Sequence, residues 1–230
     1  MAHVLVAGGS RGIGASTVER FVNEGFDVSY FYKHAPGSLG FPIKADVEVE
    51  EDIKNGVKAA TDKFGPVDIL VYCAGISLTG LTTDFSYDDY QHVMNTNFGG
   101  LFAVCKEIIP SMVSAKKGVI TAVSSMWGQT GASCESLYAA SKGAVDAYVK
   151  SLAKELGPSG IRVNAVSPGV IDTDMMNEYS DEDKESLKNE TPLQRIGKPS
   201  DVANLIFDLS SDRSSFVTGQ IIGINGGFLI

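Results

Sequence analysis

The chain has 230 residues, 43% hydrophobic and 20% charged, with 25 glycines and a net charge of −9. That length buries one substantial core or two small ones, and the composition is that of an ordinary globular protein. The acidic balance argues against sequence-independent binding to nucleic acid or to anionic membranes, which needs basic surface.

The first apolar run, residues 3–7, reads as a strand and leads straight into the turn GGSRGIG. Gly8, Gly12 and Gly14 are spaced G-x-x-x-G-x-G ahead of a helical pattern over 12–24. Glycines let a backbone approach a pyrophosphate, and a helix start offers unpaired N–H groups. The opening MAHVLVAGG has no cationic region, so no signal peptide is expected. A second strand, 28–31, ends at Tyr32, Lys33 and His34. An acid at that end would accept the ribose hydroxyls of NAD. None is there, Asp27 lies at the other end, and Arg11 and Lys33 are placed to surround a 2′-phosphate, which favours NADP(H).

The stretch KHAPGSLGFPIK is rich in Pro and Gly and predicts a loop with at most one helical turn. Asp46 then precedes a helical pattern over 49–64 and is placed to act as its N-cap. Strands follow at 68–72, 119–123, 161–166 and 220–224, with helices at 87–114, 137–156 and 199–209. Apolar strands alternating with helices indicate a parallel sheet covered on both faces. The polar stretch 173–197 predicts an active-site lid with a short helix capped by Ser180 and Asp183, and offers Met175, Met176 and Tyr179 to a substrate. No linker or repeat divides the chain, so a single domain over 1–230 is expected.

No uninterrupted apolar run approaches a membrane span, so no membrane association is expected. Cys73, Cys105 and Cys134 lack CxxC or zinc-ligand spacing and read as reduced thiols of a cytoplasmic protein. The three histidines are scattered, and no metal site is expected.

These motifs, in this order, resemble the short-chain dehydrogenase/reductase family over almost the whole chain, and within it the bacterial 3-oxoacyl-(acyl carrier protein) reductases. The resemblance implies an α/β fold: a Rossmann-type, doubly wound parallel sheet of about seven strands with helices on both faces. AGGSRGIG matches the cofactor turn and supplies Gly8, Ser10, Arg11, Gly12, Ile13 and Gly14. ADV places Asp46 and Val47 at the adenine, and VYCAG supplies Ala74 and Gly75. Tyr72 and Cys73 depart from the asparagines usual there. NTNFGG supplies Asn97, VSSMWG supplies Ser125, and SLYAASKG supplies Tyr138 and Lys142. SPGVIDT supplies Pro168, Gly169, Ile171 and Thr173 around the nicotinamide. The family pairs the 137–156 helix across a subunit interface, which implies a homotetramer or a dimer.

The chemistry explains the residue types. A free phenol has a pKa of about 10, and a nearby ammonium lowers it. Residues four apart are neighbours on a helix, so Lys142 would tune Tyr138 as proton donor and reach the nicotinamide ribose. Ser125, thirteen residues before Tyr138, is chosen over Ser124 to bond the substrate oxygen. By the resemblance, Asn97 would hold a water linking Lys142 to solvent.

The expected activity is therefore NADPH-dependent reduction of a 3-oxoacyl-type ketone to a secondary alcohol, with Trp127, Glu135, Met175 and Met176 as substrate contacts. WGQTGASCESLY also resembles a branch that reduces a 5-aminopentanone group on elongation factor P, where Glu135 would suit a cationic amine. A sugar or hydroxysteroid dehydrogenase and a non-catalytic NADP-binding sensor stand as alternatives.

Overall fold

A computed structural model describes the backbone of residues 1–230 and every side chain except that of Glu178. Seven strands form one parallel sheet in the order β3-β2-β1-β4-β5-β6-β7. They are β1 (His3–Ala7), β2 (Asp27–Tyr32), β3 (Phe41–Lys44), β4 (Ile69–Tyr72), β5 (Gly118–Val123), β6 (Ile161–Pro168) and β7 (Ile221–Ile224). Alternate side chains point to opposite faces, so the nearly continuous apolar runs fill two cores. Leu5, Phe31, Leu70, Ile120 and Val163 pack under α2 (Glu50–Phe64), α4 (Gly100–Ala115) and α6 (Ser136–Leu156). Val4, Val6, Val28, Tyr30 and Val71 pack under α1 (Gly12–Asn23) and α8 (Pro199–Ser210).

The central strand β1 pairs with β2 on one side and β4 on the other. Strand order reverses there, which opens a crevice above the strand ends, the usual ligand position in this architecture. Gly8 turns the chain at that point with φ +81°; a Cβ on it would lie 2.7 Å from the Ala74 nitrogen. A Cβ on Gly14 would overlap the Gly8 carbonyl oxygen. Both glycines are required by backbone meeting backbone.

The expected loop at KHAPGSLGFPIK is in part a strand. β3 pairs in parallel with β2 from Ser29↔Phe41 to Tyr32↔Lys44. Pro42 hid it, yet an edge strand tolerates a proline because its outer side has no ladder to complete. A short helix, α5 (Met126–Thr130), capped by Ser125, also escaped the sequence pattern.

Helix α3 (Tyr87–Met94) continues through a π-helical turn, Asn95–Gly99, into α4. The continuous run Tyr87–Ala115 is long and apolar enough to cross a membrane by length and composition. The sequence expectation of no such stretch thus needs qualifying. Here Leu101, Val104, Cys105, Ile108 and Met112 face the sheet, while Phe102 and Val113 on the outer side are exposed. Beyond β6, the polar stretch 173–197 holds η1 (Asp174–Glu178) and α7 (Asp181–Glu190). Ser180 and Asp183 make the expected reciprocal cap of α7.

Candidate active site

The glycine turn opens onto a cleft of about 450 Å³ lined by Gly8, Ser10, Arg11, Gly12, Ile13 and Gly14 on one side and Asp46, Val47, Ala74 and Gly75 on another. Arg11, the N-cap of α1, is extended and makes no side-chain cap. The first turn of the helix, Gly12 to Gly14, thus borders the cleft with no side-chain cap on its N–H groups, and glycines keep the approach open. This donor set fits a dinucleotide pyrophosphate.

At the inner end, Tyr138 and Lys142 share one face of α6. Lys142 is 4% exposed, and its Nζ donates to the Val123 carbonyl at 2.8 Å. Gly75 brings it to the cleft: a Cβ there would lie 3.2 Å from Lys142 Nζ and 3.4 Å from Asn97 Oδ1. The ammonium also sits 5.7 Å from the Tyr138 ring centroid. Burial lowers the Lys142 pKa to about 8 and raises that of Tyr138 to about 12, with a hydrogen bond to Ser125 pulling Tyr138 back down. The sequence expectation was a phenol lowered by its lysine. Desolvation wins instead, and Ser125 rather than Lys142 is the group that opposes it.

The two serines separate cleanly. Ser125 caps α5, accepts from the Trp127 N–H at 3.2 Å and meets Tyr138. Ser124 is turned to the α6 backbone, 3.4 Å from the Lys142 carbonyl.

Asn97 lies in the π turn and is fully buried. Its Oδ1 accepts from Ile76 N–H at 2.8 Å, and its Nδ2 donates to the Ile76 carbonyl and to Ser141 Oγ. The side chain is spent on holding the loop beside Gly75, so any water would bind elsewhere on this residue. A π turn leaves backbone groups out of helical register; Tyr72 Oη donates to the Thr96 carbonyl at 2.6 Å and satisfies one. That gives a physical role to Tyr72, one of the two departures from the family motif. The other, Cys73, lines the cleft with a thiol raised to about 12 by burial.

Lys33 and Thr173 also line the cleft. Asp46 is not the cap of α2, which begins after Val49. Its Oδ1 accepts from Glu48 N–H instead. Arg11 is paired with Asp174 at 3.1 Å and Lys33 with Asp46 at 2.7 Å and Glu48 at 3.2 Å, so neither cation stands free. The reading from the bare end of β2 did not pair Lys33 with Asp46 and Glu48, because the acids of ADVEVEED look like the first turn of a helix. Of the nicotinamide-side residues, Pro168 ends β6 and Gly169 N–H bonds the Ile224 carbonyl. Ile171 is buried against α8 and borders a separate cavity of about 310 Å³ with Arg195 and Asn225.

The expected substrate residues divide. Met175 is exposed and lines the cleft; Met176 is buried at 7% exposure, turned away from solvent. Trp127 stacks edge-on against Phe228 at 6.0 Å, a packing contact. Glu135 is half-buried, accepts from Ser77 Oγ at 3.2 Å, and is raised above the usual carboxylate range by burial. Among the described residues no group of His, Cys, Asp and Glu side chains could hold a metal.

A family model described as enoyl-(acyl carrier protein) reductase matches residues 7–229. The uncharacterized oxidoreductase YmfI of Bacillus subtilis is 37% identical over 235 residues, 97% of each chain. The 3-oxoacyl-[acyl-carrier-protein] reductase FabG of Thermotoga maritima is 38% identical over 238 residues, 98% of this chain and 97% of that protein. The ligand-free aldohexose dehydrogenase of Thermoplasma acidophilum superposes with a TM-score of 0.94 at 31% identity, over 99% of this chain and 93% of that one.

Proposed function

The chain belongs to the short-chain dehydrogenase/reductase family, enzymes acting on CH–OH and C=O groups, and from that premise we propose that it reduces a 3-oxoacyl-type ketone with NADPH. The observation that carries this reading is the meeting of Ser125, Tyr138 and Lys142 beside Gly75, at the inner end of a cleft shaped for a dinucleotide.

When bound, the dihydronicotinamide supplies the hydride. Ser125 donates a hydrogen bond to the ketone oxygen as negative charge develops on it. Tyr138, held protonated by burial, gives its proton to that oxygen. Lys142 offers a positive charge to the tyrosinate left behind and holds it until a proton returns. Asn97 keeps Gly75 and Ile76 in place so that the ammonium can face the cleft. NADPH is preferred over NADH in this reading because β2 ends without an acid and Arg11 and Lys33 border the cleft.

Tyr138→Phe should lower the rate with a β-ketoacyl thioester by ~10²–10⁴-fold while leaving NADPH binding intact. Loss of NADPH absorbance measures the first and nucleotide fluorescence the second. An unchanged rate would remove Tyr138 from the chemistry; tight NADPH binding with no turnover of any carbonyl would favour a sensor.

Glu135 favours a second substrate reading. It is a half-buried carboxylate with no ion-pair partner among the described residues, on the helix turn that carries Tyr138. That environment suits an amine-bearing ketone such as the 5-aminopentanone modification of elongation factor P. A panel pairing neutral and amine-bearing ketones, free and carrier-bound, separates the two readings. As a working body we take the chain to be one cytoplasmic domain that assembles as a homotetramer through α4 and α6.

A further inference from the structure

The outer end of the cleft is closed by four polar side chains from three elements. Lys33 follows β2, Asp46 and Glu48 follow β3, and His92 lies on α3; all four line the cleft. The sheet brings the first three together. Ala45 N–H donates to the Tyr32 carbonyl, one step beyond the β2–β3 ladder, so Lys33 and Asp46 emerge side by side.

Glu48 is the hub of the group. Its Oε1 lies 3.2 Å from Lys33 Nζ, and its Oε2 lies 2.9 Å from His92 Nδ1. Burial raises its pKa, but the bonds to His92 and Lys33 outweigh that and hold it below the usual range. Asp46 behaves alike, with Lys33 as the dominant partner. Both carboxylates are therefore ionised near neutrality. Two carboxylates, Asp46 and Glu48, thus share the one ammonium of Lys33, and Glu48 also engages His92.

We propose that Glu48 is a specificity-determining residue for the dinucleotide: by engaging Lys33 it holds the preference for NADP(H) over NAD(H) below what Lys33 and Arg11 would otherwise give. This rests on reading the cleft as a nicotinamide dinucleotide site. A 2′-phosphate must share Lys33 with Glu48, whereas the neutral 2′-hydroxyl of NAD(H) makes no such demand on the ammonium. Glu48 is on the loop after β3, so it acts through Lys33 rather than occupying the position of an acid at the end of β2.

The test uses the full-length protein titrated with NADPH and with NADH, binding read by nucleotide fluorescence. Glu48→Gln keeps the side-chain length and should raise the ratio Kd(NADH)/Kd(NADPH) by about 1.5- to fivefold, the range of a solvent-exposed charge pair. In a Lys33→Met background the same substitution should leave the ratio unchanged. An unmoved ratio in Glu48→Gln, with an unchanged melting temperature, overturns the proposal. So does an equal gain in the Lys33→Met background, which would assign the effect to the general field. A wild-type chain that binds neither nucleotide overturns the dinucleotide reading and this inference with it. A wild-type chain that prefers NADH overturns the NADPH reading alone, and the direction of the ratio change still decides the role of Glu48.

Discussion

Lys142 works at a cost to the fold. An ammonium only 4% exposed has given up most of its hydration, and it donates a hydrogen bond to the Val123 carbonyl. Its pKa falls from an ordinary 10.5 to about 8. A lysine lowered on folding weakens the native state wherever it carries a proton, so the penalty is absent above about 10.5 and complete below about 8. That difference amounts to about 3 kcal/mol at neutral pH. Asp146, one helical turn on and 6% exposed, offsets part of it by its charge and is itself raised by burial. Lys142→Met should abolish reduction and still raise Tm by about 2–4 °C, after allowing for the unpaired Val123 carbonyl. Calorimetry checks this; a lower Tm would mean the ammonium is stabilising. The spacing of Tyr138 and Lys142 was legible in the sequence because a helix puts residues four apart together. The direction of the Tyr138 shift was not, because it depends on how much water the surrounding loops exclude.

The π turn between α3 and α4 sets the position of Asn97. Tyr72 reaches it from the end of β4 and bonds the Thr96 carbonyl. Tyr72→Phe keeps the buried ring and removes that bond, leaving a buried acceptor unpaired, so about 1–3 kcal/mol of stability should be lost. Chemical denaturation measures the loss, and an unchanged midpoint would show that the turn holds itself. Six strands and the main helices could be read from periodicity and β-branched runs. β3 could not, since Phe41–Lys44 is short, contains Pro42 and is recognisable only once β2 offers it an edge. The 87–114 pattern predicted one helix, and the π turn inside it left no trace in spacing. Glu48 and His92 were missed for the same reason: forty-four residues separate them in sequence, and only the assembled sheet edge makes them neighbours.

At the level of the molecule, α4 presents an outer face that the chain itself leaves bare. Phe102 is 50% exposed and Val113 40%, and Phe102 leans on Tyr148 of α6 at 6.4 Å between ring centroids. A second copy covering this face would remove that apolar area from water, which is how such patches are commonly used. Light scattering should give the mass of four 24.4 kDa chains, and Phe102→Glu should yield smaller species. A wild-type monomer at micromolar concentration would end the tetramer expectation. A net charge of −9 disfavours the long-range approach of any acidic partner.

The bridge from Arg11 to Asp174 ties the mouth of the glycine turn to the segment that bears Met175. A nucleotide that draws Arg11 towards itself competes with Asp174 for the guanidinium, so its binding should be felt by the segment that bears Met175. Saturating nucleotide should accordingly shift the apparent affinity for the ketone by no more than about fivefold, the scale of a solvent-exposed pair.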